Sequence, residues 1–377
     1  MKIAAVICEF NPFHNGHAYL LSKIKAEGGR QIVCVMSGNV TQRGKLACAD
    51  KYTRAEHAIK GGADMVAELP AEYACAPAEI FALGGVKIAR LCGADELWFG
   101  SECGDMELLR AAARLTSPSN IPYQKRVKEI LEEGVSYPVA MQRAAREFAD
   151  DAVAEVLASP NNMLGIEYVR AAEKLGCNMR LYTVPRLSSS HLSETLEGNV
   201  SSSKAIRRAT AEGEIEKAAQ AVPDFVFPVL SNKDSSEGFI AVLKKTILTS
   251  DIKRIFDMGE GLDNKIRKLA LGAASQDELA LSVKSKRYTF ARINRLLMNI
   301  ALGNTCTASV LKDCAVGYIN VLAVARDSRH LLRTLARPAV TRPRDRARLN
   351  VPHCVTDNAD LLFKCCAYDY DDKMRLV

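Results

Sequence analysis

Two histidines three positions apart, His14 and His17, are the residues best suited to chemistry in this sequence. They flank Gly16, follow the apolar run 3–8 and precede a segment with helical periodicity. If a strand ends at Cys8 and a helix begins near Gly16, both imidazoles lie beside unpaired backbone N–H groups, which favour an anion. Imidazole can donate to phosphate, and glycine allows a ligand to approach the backbone. The stretch therefore predicts a phosphate-binding turn; the alternative is a strand-to-helix turn with incidental histidines.

A run of three serines offers a second phosphate-binding element. Ser201, Ser202 and Ser203 open a segment with helical periodicity, and Arg207 follows one turn later. Hydroxyl and backbone donors beside a basic residue suit an anion. The alternative is an ordinary serine N-cap followed by solvated arginines.

These residues need a scaffold that brings them together, and the first hundred residues supply its pattern. Strands are predicted at 2–8, 31–36, 65–69 and 96–99, with helices at about 16–26, 50–60 and 78–91 between them. Such alternation predicts a parallel sheet with right-handed crossovers, whose ligands bind beyond the carboxyl ends of the strands. His14, Ser37-Gly38 and Gly100-Ser101 each follow a strand and are expected to converge at one edge.

The rest of the chain is predicted to be mostly helical. Residues 105–150 read as a helical insertion, and a strand is expected at 179–184, before a linker bracketed by Pro223 and Pro228. Beyond about residue 230, helical segments carry basic clusters. The predicted fold class is therefore α/β, with two parts. These are a Rossmann-like domain at 1–222 with a parallel sheet, which carries the predicted phosphate-binding turn, and a mainly helical basic region at 230–377.

Composition narrows the class of protein. The chain has 377 residues, 48% of them hydrophobic, and a formal net charge of +7. This hydrophobic fraction is enough to form buried cores and argues against global disorder. No apolar run approaches the roughly 18 residues that span a bilayer, and the N-terminal run lacks a signal-peptide cleavage pattern. We therefore expect a cytoplasmic protein without a membrane partner.

Cysteine placement argues against a metal site. Neither a Cys-x-x-Cys pair nor a His-Glu-x-x-His motif occurs, and Cys365-Cys366 are adjacent, which is poor ligand spacing. Four of the twelve cysteines lie inside apolar segments, where a free thiol behaves as a small hydrophobe. We predict reduced thiols and no resident metal.

Other charged and aromatic residues are weaker candidates. Arg43, Lys51 and Arg54 follow the second strand and could hold a carboxylate or pyrophosphate, although solvated loop charges are nearly as good an interpretation. His191 lies near the serines and could approach ATP, but a loop-surface position is favoured. Trp98 is interpreted as a core residue, with adenine contact as the alternative.

A basic segment with interleaved aromatics, residues 286–295, is the best nucleic-acid candidate. Arg292 and Arg295 fall on adjoining positions of a predicted helix. Basic residues beside Tyr288 and Phe290 suit phosphate contacts and base stacking, whereas the alternative is a solvated helix face. The candidate RNA contacts are Lys286, Arg287, Arg292 and Arg295.

The His-x-Gly-His motif resembles the signature of nucleotidyltransferases, which attack the α-phosphate of ATP and release pyrophosphate. Further motifs, in order and spacing, are similar to one family. They are Val35–Asn39 with Gln42–Gly44, Phe99–Glu102, Ser159–Asn162 with Leu164-Gly165, Glu260–Leu262, and Lys286–Thr289 with Arg292 and Arg295. Over nearly its whole length the chain resembles the bacterial tRNA(Met) cytidine acetate ligase family.

This resemblance implies a two-step reaction. Acetate attacks ATP to give acetyl-adenylate, and the wobble cytidine of elongator tRNA(Met) then takes the acetyl group to become acetylcytidine. His14 and His17 are the implied catalytic residues, although Ser202-Ser203 depart from the family's usual Ser-Ala-Thr. Mg²⁺ is expected with ATP, and Glu9 and Asp50 are considered as ligands without either being assigned. The expected ATP contacts are Ile7, Cys8, Glu9, Phe10, Asn11, Pro12, Phe13, His14, Asn15, Gly16, His17, Ala18, Tyr19, Leu20, Gly100, Asn162, Arg186, Ser202 and Ser203.

Two other functions fit the same residues. An adenylyltransferase acting on a small phosphorylated metabolite would share the histidine motif but would not need a basic helical region. A non-catalytic RNA-binding factor could retain the nucleotide-binding fold without its chemistry.

Overall fold

An eight-stranded sheet forms the centre of the computed structural model, which describes residues 2–186, 201–232, 236–285, 288–349 and 354–377. The strands are β1 Lys2–Cys8, β2 Arg30–Ser37, β3 Met65–Leu69, β4 Glu96–Ser101, β5 Arg180–Pro185, β6 Ile319–Val324, β7 Ala339–Val340 and β8 Arg375–Leu376. Seven follow the order β5-β4-β1-β2-β3-β6-β7, and β8 pairs with β6. Strands β1 to β5 are mutually parallel, which confirms the predicted α/β class.

Helices cover both faces of this sheet and build the second half of the chain. They are α1 Asn15–Ala26, α2 Lys51–Lys60, α3 Ala71–Ala74, α4 Ala78–Leu91, α5 Met106–Leu115, α6 Ile121–Glu132, α7 Tyr137–Phe148, α8 Asp151–Val156, α9 Pro160–Lys174, α10 Ser203–Ala211, α11 Ile215–Gln220, α12 Ser236–Thr249, α13 Leu262–Ala270, α14 Gln276–Val283, α15 Phe290–Leu302, α16 Ala308–Asp313, α17 Pro343–Arg348 and α18 Val355–Cys366. The predicted insertion is helical, consisting of α5 to α8. No described helix is long and apolar enough to cross a membrane.

The buried strands divide their side chains between two cores. Ala5 and Ile7 of β1 pack on one side of the sheet, while Ala4 and Val6 pack on the other. This is the period-two alternation of a strand buried on both faces. A third core lies within the C-terminal helices and includes Leu297 of α15.

The segment predicted as a linker is folded, and a strand from the second half of the chain joins the central sheet. Asp224–Ser231 forms a 3-10 helix whose Val226 and Leu230 are buried, so this segment belongs to the sheet's core rather than to an exposed linker. Strand β6, far beyond residue 230, pairs antiparallel with β3. Periodicity alone cannot show whether a short apolar run such as β6 is a strand. Because β3 is also remote from β6 in the sequence, the sequence does not predict this pairing.

Candidate active site

His14 is the N-cap of α1, and the two histidines form a reciprocal capping box. The Gly16 amide donates to Nδ1 of His14 at 3.1 Å, and the His14 amide donates to Nδ1 of His17 at 3.2 Å. Each Nδ1 is therefore an acceptor, and a neutral imidazole then carries its proton on Nε2. The cap thus leaves an Nε2–H donor on each ring.

Burial keeps these rings neutral. The rings stack with centroids 3.6 Å apart, and His14 is only 3% exposed. Burial, with the charges of Arg186 and Arg207, lowers the pKa of His14 to about 3. Burial, His14 and Arg186 likewise hold the pKa of His17 well below its usual value. Near neutral pH both imidazoles are uncharged donors.

This depressed pKa predicts a pH-dependent stability that involves His14. The pKa of His14 in the folded state lies below the unfolded value of about 6.5. Between these two pKa values the imidazole is protonated in the unfolded chain and neutral in the folded chain. The stability is fully present above that unfolded pKa and is lost as the pH falls towards 3. In urea titrations at several pH values, we expect His14→Asn to flatten the acid slope by up to about 1 kcal/mol per pH unit. Parallel slopes for variant and wild type would contradict the neutral assignment.

A pocket opens on the histidines at the carboxyl edge of the sheet. It is lined by His14, Gly16, His17, Tyr19, Leu20, Gly100, Val184, Pro185, Arg186 and Ser201. The turn after β1 and the ends of β4 and β5 therefore meet here, which confirms the predicted convergence of His14 with Gly100, whereas Ser37 and Gly38 do not line this pocket. Arg186 lies against this strand end, where a Cβ built on Gly100 would lie 3.4 Å from its Cγ, an ordinary van der Waals contact.

Buried positive charge surrounds the pocket. Arg186 and Arg207 are largely buried, and burial lowers the pKa of both guanidinium groups. Arg207 donates to the backbone oxygen of Asn11, and the Arg186 charge is partly balanced by Glu102. No described carboxylate forms an ion pair with either arginine. Two buried cations beside two neutral N–H donors constitute a site for a polyanion.

Several of the other predicted ATP contacts are buried in or just after β1. Phe10 and Phe13 are buried core rings, 4.9 Å apart, and Oδ1 of Asn11 accepts from the Cys48 amide at 2.7 Å. Ile7 and Cys8 lie buried within β1. These residues shape the turn from behind the pocket, and their direct contact with ATP stays a prediction.

Asn162 holds the loop after β4. Its Oδ1 accepts from the backbone amides of Glu102 at 2.9 Å and Cys103 at 3.1 Å, while Asn161 donates to the Glu102 carboxylate at 2.8 Å. These bonds fix the loop that follows Gly100. The structure therefore gives Asn162 a positioning role beside the pocket, and its contact with ATP remains a prediction.

The serine run combines both sequence interpretations. Oγ of Ser202 accepts from the Ala205 amide at 3.1 Å, which is an ordinary N-cap of α10, and Ser203 contacts the Pro12 carbonyl at 3.5 Å. Ser201, which sequence reasoning did not single out as an ATP contact, lines the pocket. Its Oγ is buried without a hydrogen-bond partner in the described part of the chain. The serine run was a signal for this residue, but it did not show which hydroxyl faces the pocket.

Comparison with known proteins agrees with this geometry. A family model described as HIGH Nucleotidyl Transferase matches residues 1–356. The tRNA(Met) cytidine acetate ligase of Clostridium perfringens is 33% identical over 350 residues, covering 89% of this chain and 87% of that protein. That of Alkaliphilus metalliredigens is 36% identical, covering 80% of this chain and 77% of its own. The chain belongs to the tRNA(Met) cytidine acetate ligase family of HIGH nucleotidyl transferases.

Solved structures of a family member extend the match to three dimensions. The apo crystal structure of Thermotoga maritima TmcAL has a TM-score of 0.83 and 29% identity, covering 96% of this chain and 92% of its own. A second crystal structure of that protein, bound with alpha-thio ATP, also has a TM-score of 0.83, with 27% identity and coverage of 97% and 95%. The helical C-terminal region is thus shared with that ligase as well as the sheet.

In this ligase-family chain, Lys51 and Arg54 are neither anion ligands nor solvated charges, and both interpretations were wrong. Arg54 is fully buried and donates to the carbonyls of Glu9 at 2.6 Å, Ser37 at 3.1 Å and Ala49 at 2.9 Å. It therefore ties the ends of β1 and β2 together. Lys51 is buried and forms ion pairs with Glu68 and Asp360.

The residues considered for magnesium serve as structural acceptors. Glu9 accepts from the Gln42 amide at 2.7 Å. Asp50 is the N-cap of α2 and accepts from the amides of Tyr52 and Thr53, both at 2.9 Å. No cluster of three potential metal-binding side chains occurs among the described residues. Neither carboxylate is arranged as a metal ligand.

The two described arginines of the predicted RNA-binding segment are only partly accessible to a ligand. Arg292 forms a two-point ion pair with Asp257 at 2.8 and 3.0 Å and lies over the Tyr288 ring, which is itself buried. Arg295 is half-buried and its Nε has no partner among the described residues. Lys286, Arg287, His191 and His353 lie outside the described residues. RNA binding by these basic residues stays a prediction.

Two further residues are structural. Trp98 is 6% exposed, stacks on Tyr182 with centroids 4.4 Å apart and donates to Glu96 at 2.9 Å. His57 is buried in α2, where burial lowers its pKa to about 4. The burial of Trp98 agrees with its interpretation as a core residue.

Proposed function

We propose that this protein is an ATP-dependent ligase that activates acetate as acetyl-adenylate and acetylates the wobble cytidine of elongator tRNA(Met). The observation that carries the nucleotide chemistry is the pocket with two neutral Nε2–H donors, His14 and His17, beside the buried cations Arg186 and Arg207. The names of the relatives supply the tRNA and its cytidine. Acetate is supported only by those names.

The first step is an in-line displacement at the α-phosphate of ATP. A carboxylate oxygen of acetate bonds to phosphorus while the bond to the bridging oxygen breaks, and pyrophosphate leaves. Negative charge redistributes over phosphate oxygens in the transition state, so fixed N–H donors and cations lower the barrier without covalent catalysis. His14 and His17 suit this role because their hydrogens are held in place by the capping box before the ligand arrives.

The second step transfers the acetyl group. The exocyclic amine of cytidine attacks the acetyl carbonyl, the bond from that carbon to the phosphate oxygen breaks, and AMP leaves with the bonding electrons. The amine loses one proton to solvent or to the departing phosphate. The same donors that stabilised the first step stabilise AMP as the leaving group.

Magnesium is part of the proposal only as a companion of ATP. Glu9 and Asp50 already accept backbone hydrogen bonds, so we assign no protein ligand to the ion. Mg²⁺ prefers phosphate and water oxygens and is often held largely by the substrate. A cytoplasmic location, where tRNA occurs, belongs to the same proposal.

One pair of assays tests this function. Purified protein incubated with ATP and labelled pyrophosphate should exchange label only when acetate is added, and with total tRNA it should produce acetylcytidine detectable by nucleoside mass spectrometry. Exchange that is indifferent to acetate would favour the adenylyltransferase alternative. RNA binding without exchange would favour the non-catalytic factor.

A further inference from the structure

A large cavity lies beside the ATP pocket, and of the residues assigned to the chemistry above only Arg207 lines it. Its volume is about 820 Å³, within the range of ligand sites. One wall comes from the loop 43–48 and α10, and the other from α14, α15 and α18. It therefore lies where the nucleotide-binding part of the fold meets the C-terminal helices.

The charged residues in the wall of this cavity are mostly basic. Four cationic residues line it, Arg43, Lys45, Lys204 and Arg207, against one carboxylate, Asp277. Lys45 pairs with Asp277 at 2.8 Å, so that carboxylate is already engaged. Arg43 is exposed and forms no ion pair with any described residue. This charge balance fits a polyanion.

Aromatic and polar groups lie between these charges. Phe290 is partly exposed and Tyr368 is 37% exposed, and the Tyr368 hydroxyl, bonded to the Asp50 amide at 3.0 Å, fixes the orientation of its ring. Asn294 also lines the cavity, and its Oδ1 has no hydrogen-bond partner among the described residues. Its Nδ2 donates to the Phe290 carbonyl at 3.3 Å, which orients the amide. The oriented ring of Tyr368 and the partly exposed ring of Phe290 suit stacking with nucleobases.

The cavity is rigidly joined to the catalytic turn. Pro12 and Arg207 line it, while His14, two residues after Pro12, lines the ATP pocket. Gly44, in the loop 43–48, packs so tightly against α15 of the opposite wall that a Cβ would lie 2.4 Å from the Asn294 backbone. The wall is therefore preformed, and one thin loop separates the two sites.

We propose that this cavity binds unpaired nucleotides of the acceptor RNA loop and thereby brings the reacting cytidine to the acetyl-adenylate. This inference rests on the proposed function for the identity of the RNA. On α15 the expected RNA contact is then Phe290, because Arg292 is already paired with Asp257. Arg43 then contacts an RNA phosphate rather than pyrophosphate.

The test uses the full chain with Arg43→Ala and Phe290→Leu, the second chosen because it keeps apolar volume and removes only the aromatic face. Arg254→Ala is the matched control, since Arg254 is exposed and does not line the cavity. RNA affinity is measured with an elongator tRNA(Met) anticodon stem-loop and with the same stem closed by a short non-cognate loop. Acetate-dependent pyrophosphate exchange is measured without RNA.

We expect each cavity variant to weaken binding of the anticodon stem-loop by about fivefold to tenfold or more, in line with the loss of one stacking or phosphate contact. Exchange should stay within about twofold of wild type, and the re-looped stem should bind equally weakly to all proteins. Binding and exchange that match the Arg254→Ala control would overturn the proposal, as would a parallel loss of exchange. Absence of exchange in the wild type would instead overturn the proposed function, while the binding comparison would still test the cavity.

Discussion

Replacing His14 by asparagine is expected to lower acetate-dependent pyrophosphate exchange by about 10²–10³-fold, the usual cost of one preorganised donor to a transition-state charge. Asparagine is a good N-cap and can still accept from the Gly16 amide, so α1 should begin at the same residue. What the variant loses is the Nε2–H donor and the ring that stacks on His17. The fall should appear in kcat rather than in the affinity for the RNA stem-loop.

The matched control for this prediction is His330→Asn. His330 is exposed and its Nε2 contacts Gln31 at 2.8 Å, at the opposite end of β2 from the catalytic edge. Exchange should therefore remain at the wild-type rate. If His14→Asn retains most of its exchange activity while binding ATP, the imidazole is only a helix cap, and the charge must be stabilised by Arg186, Arg207 and backbone amides alone.

The second large effect concerns stability. Lys51 is 1% exposed and contacts Glu68 at 3.0 Å and Asp360 at 2.5 Å. Burial works against the ammonium group, but Asp360 and Glu68 outweigh it and raise the pKa of Lys51 well above its usual value. Lys51→Met leaves two carboxylates near one another without their shared cation. We expect the free energy of unfolding to fall by about 3–5 kcal/mol, as when one partner of a buried ion pair is removed.

Chemical denaturation of Lys51→Met beside Lys60→Met measures this difference. Lys60 lies on the same helix, but its pair with Glu56 at 2.7 Å is solvent-exposed, so its loss should cost less than about 1 kcal/mol. Since Asp360 belongs to α18, the Lys51 variant should also loosen the C-terminal helices from the sheet. Equal losses in the two variants would show that the buried network contributes no more than a surface pair.

Much of the site was readable from sequence because its chemistry is local. The strand, the turn and the helix that place His14 and His17 are consecutive, and the capping box joins residues three positions apart. The alternation of strands and helices over the first hundred residues likewise forces a parallel sheet with its ligand edge at the strand ends. The family's motifs supplied the substrate hypothesis.

The tertiary structure alone decided which charges are available to a ligand. Lys51 and Arg54 follow a strand just as Arg43 does, yet the first two are buried and paired, and the third remains exposed. Lys51 meets a carboxylate 309 positions away, and Arg292 meets Asp257 on a different element. A sequence pattern reports the type and periodicity of side chains, whereas pairing and burial depend on contacts between remote segments. For that reason the sequence predicted the catalytic turn. The large cavity beside it, which is lined by residues from remote segments, could be found only in the folded structure.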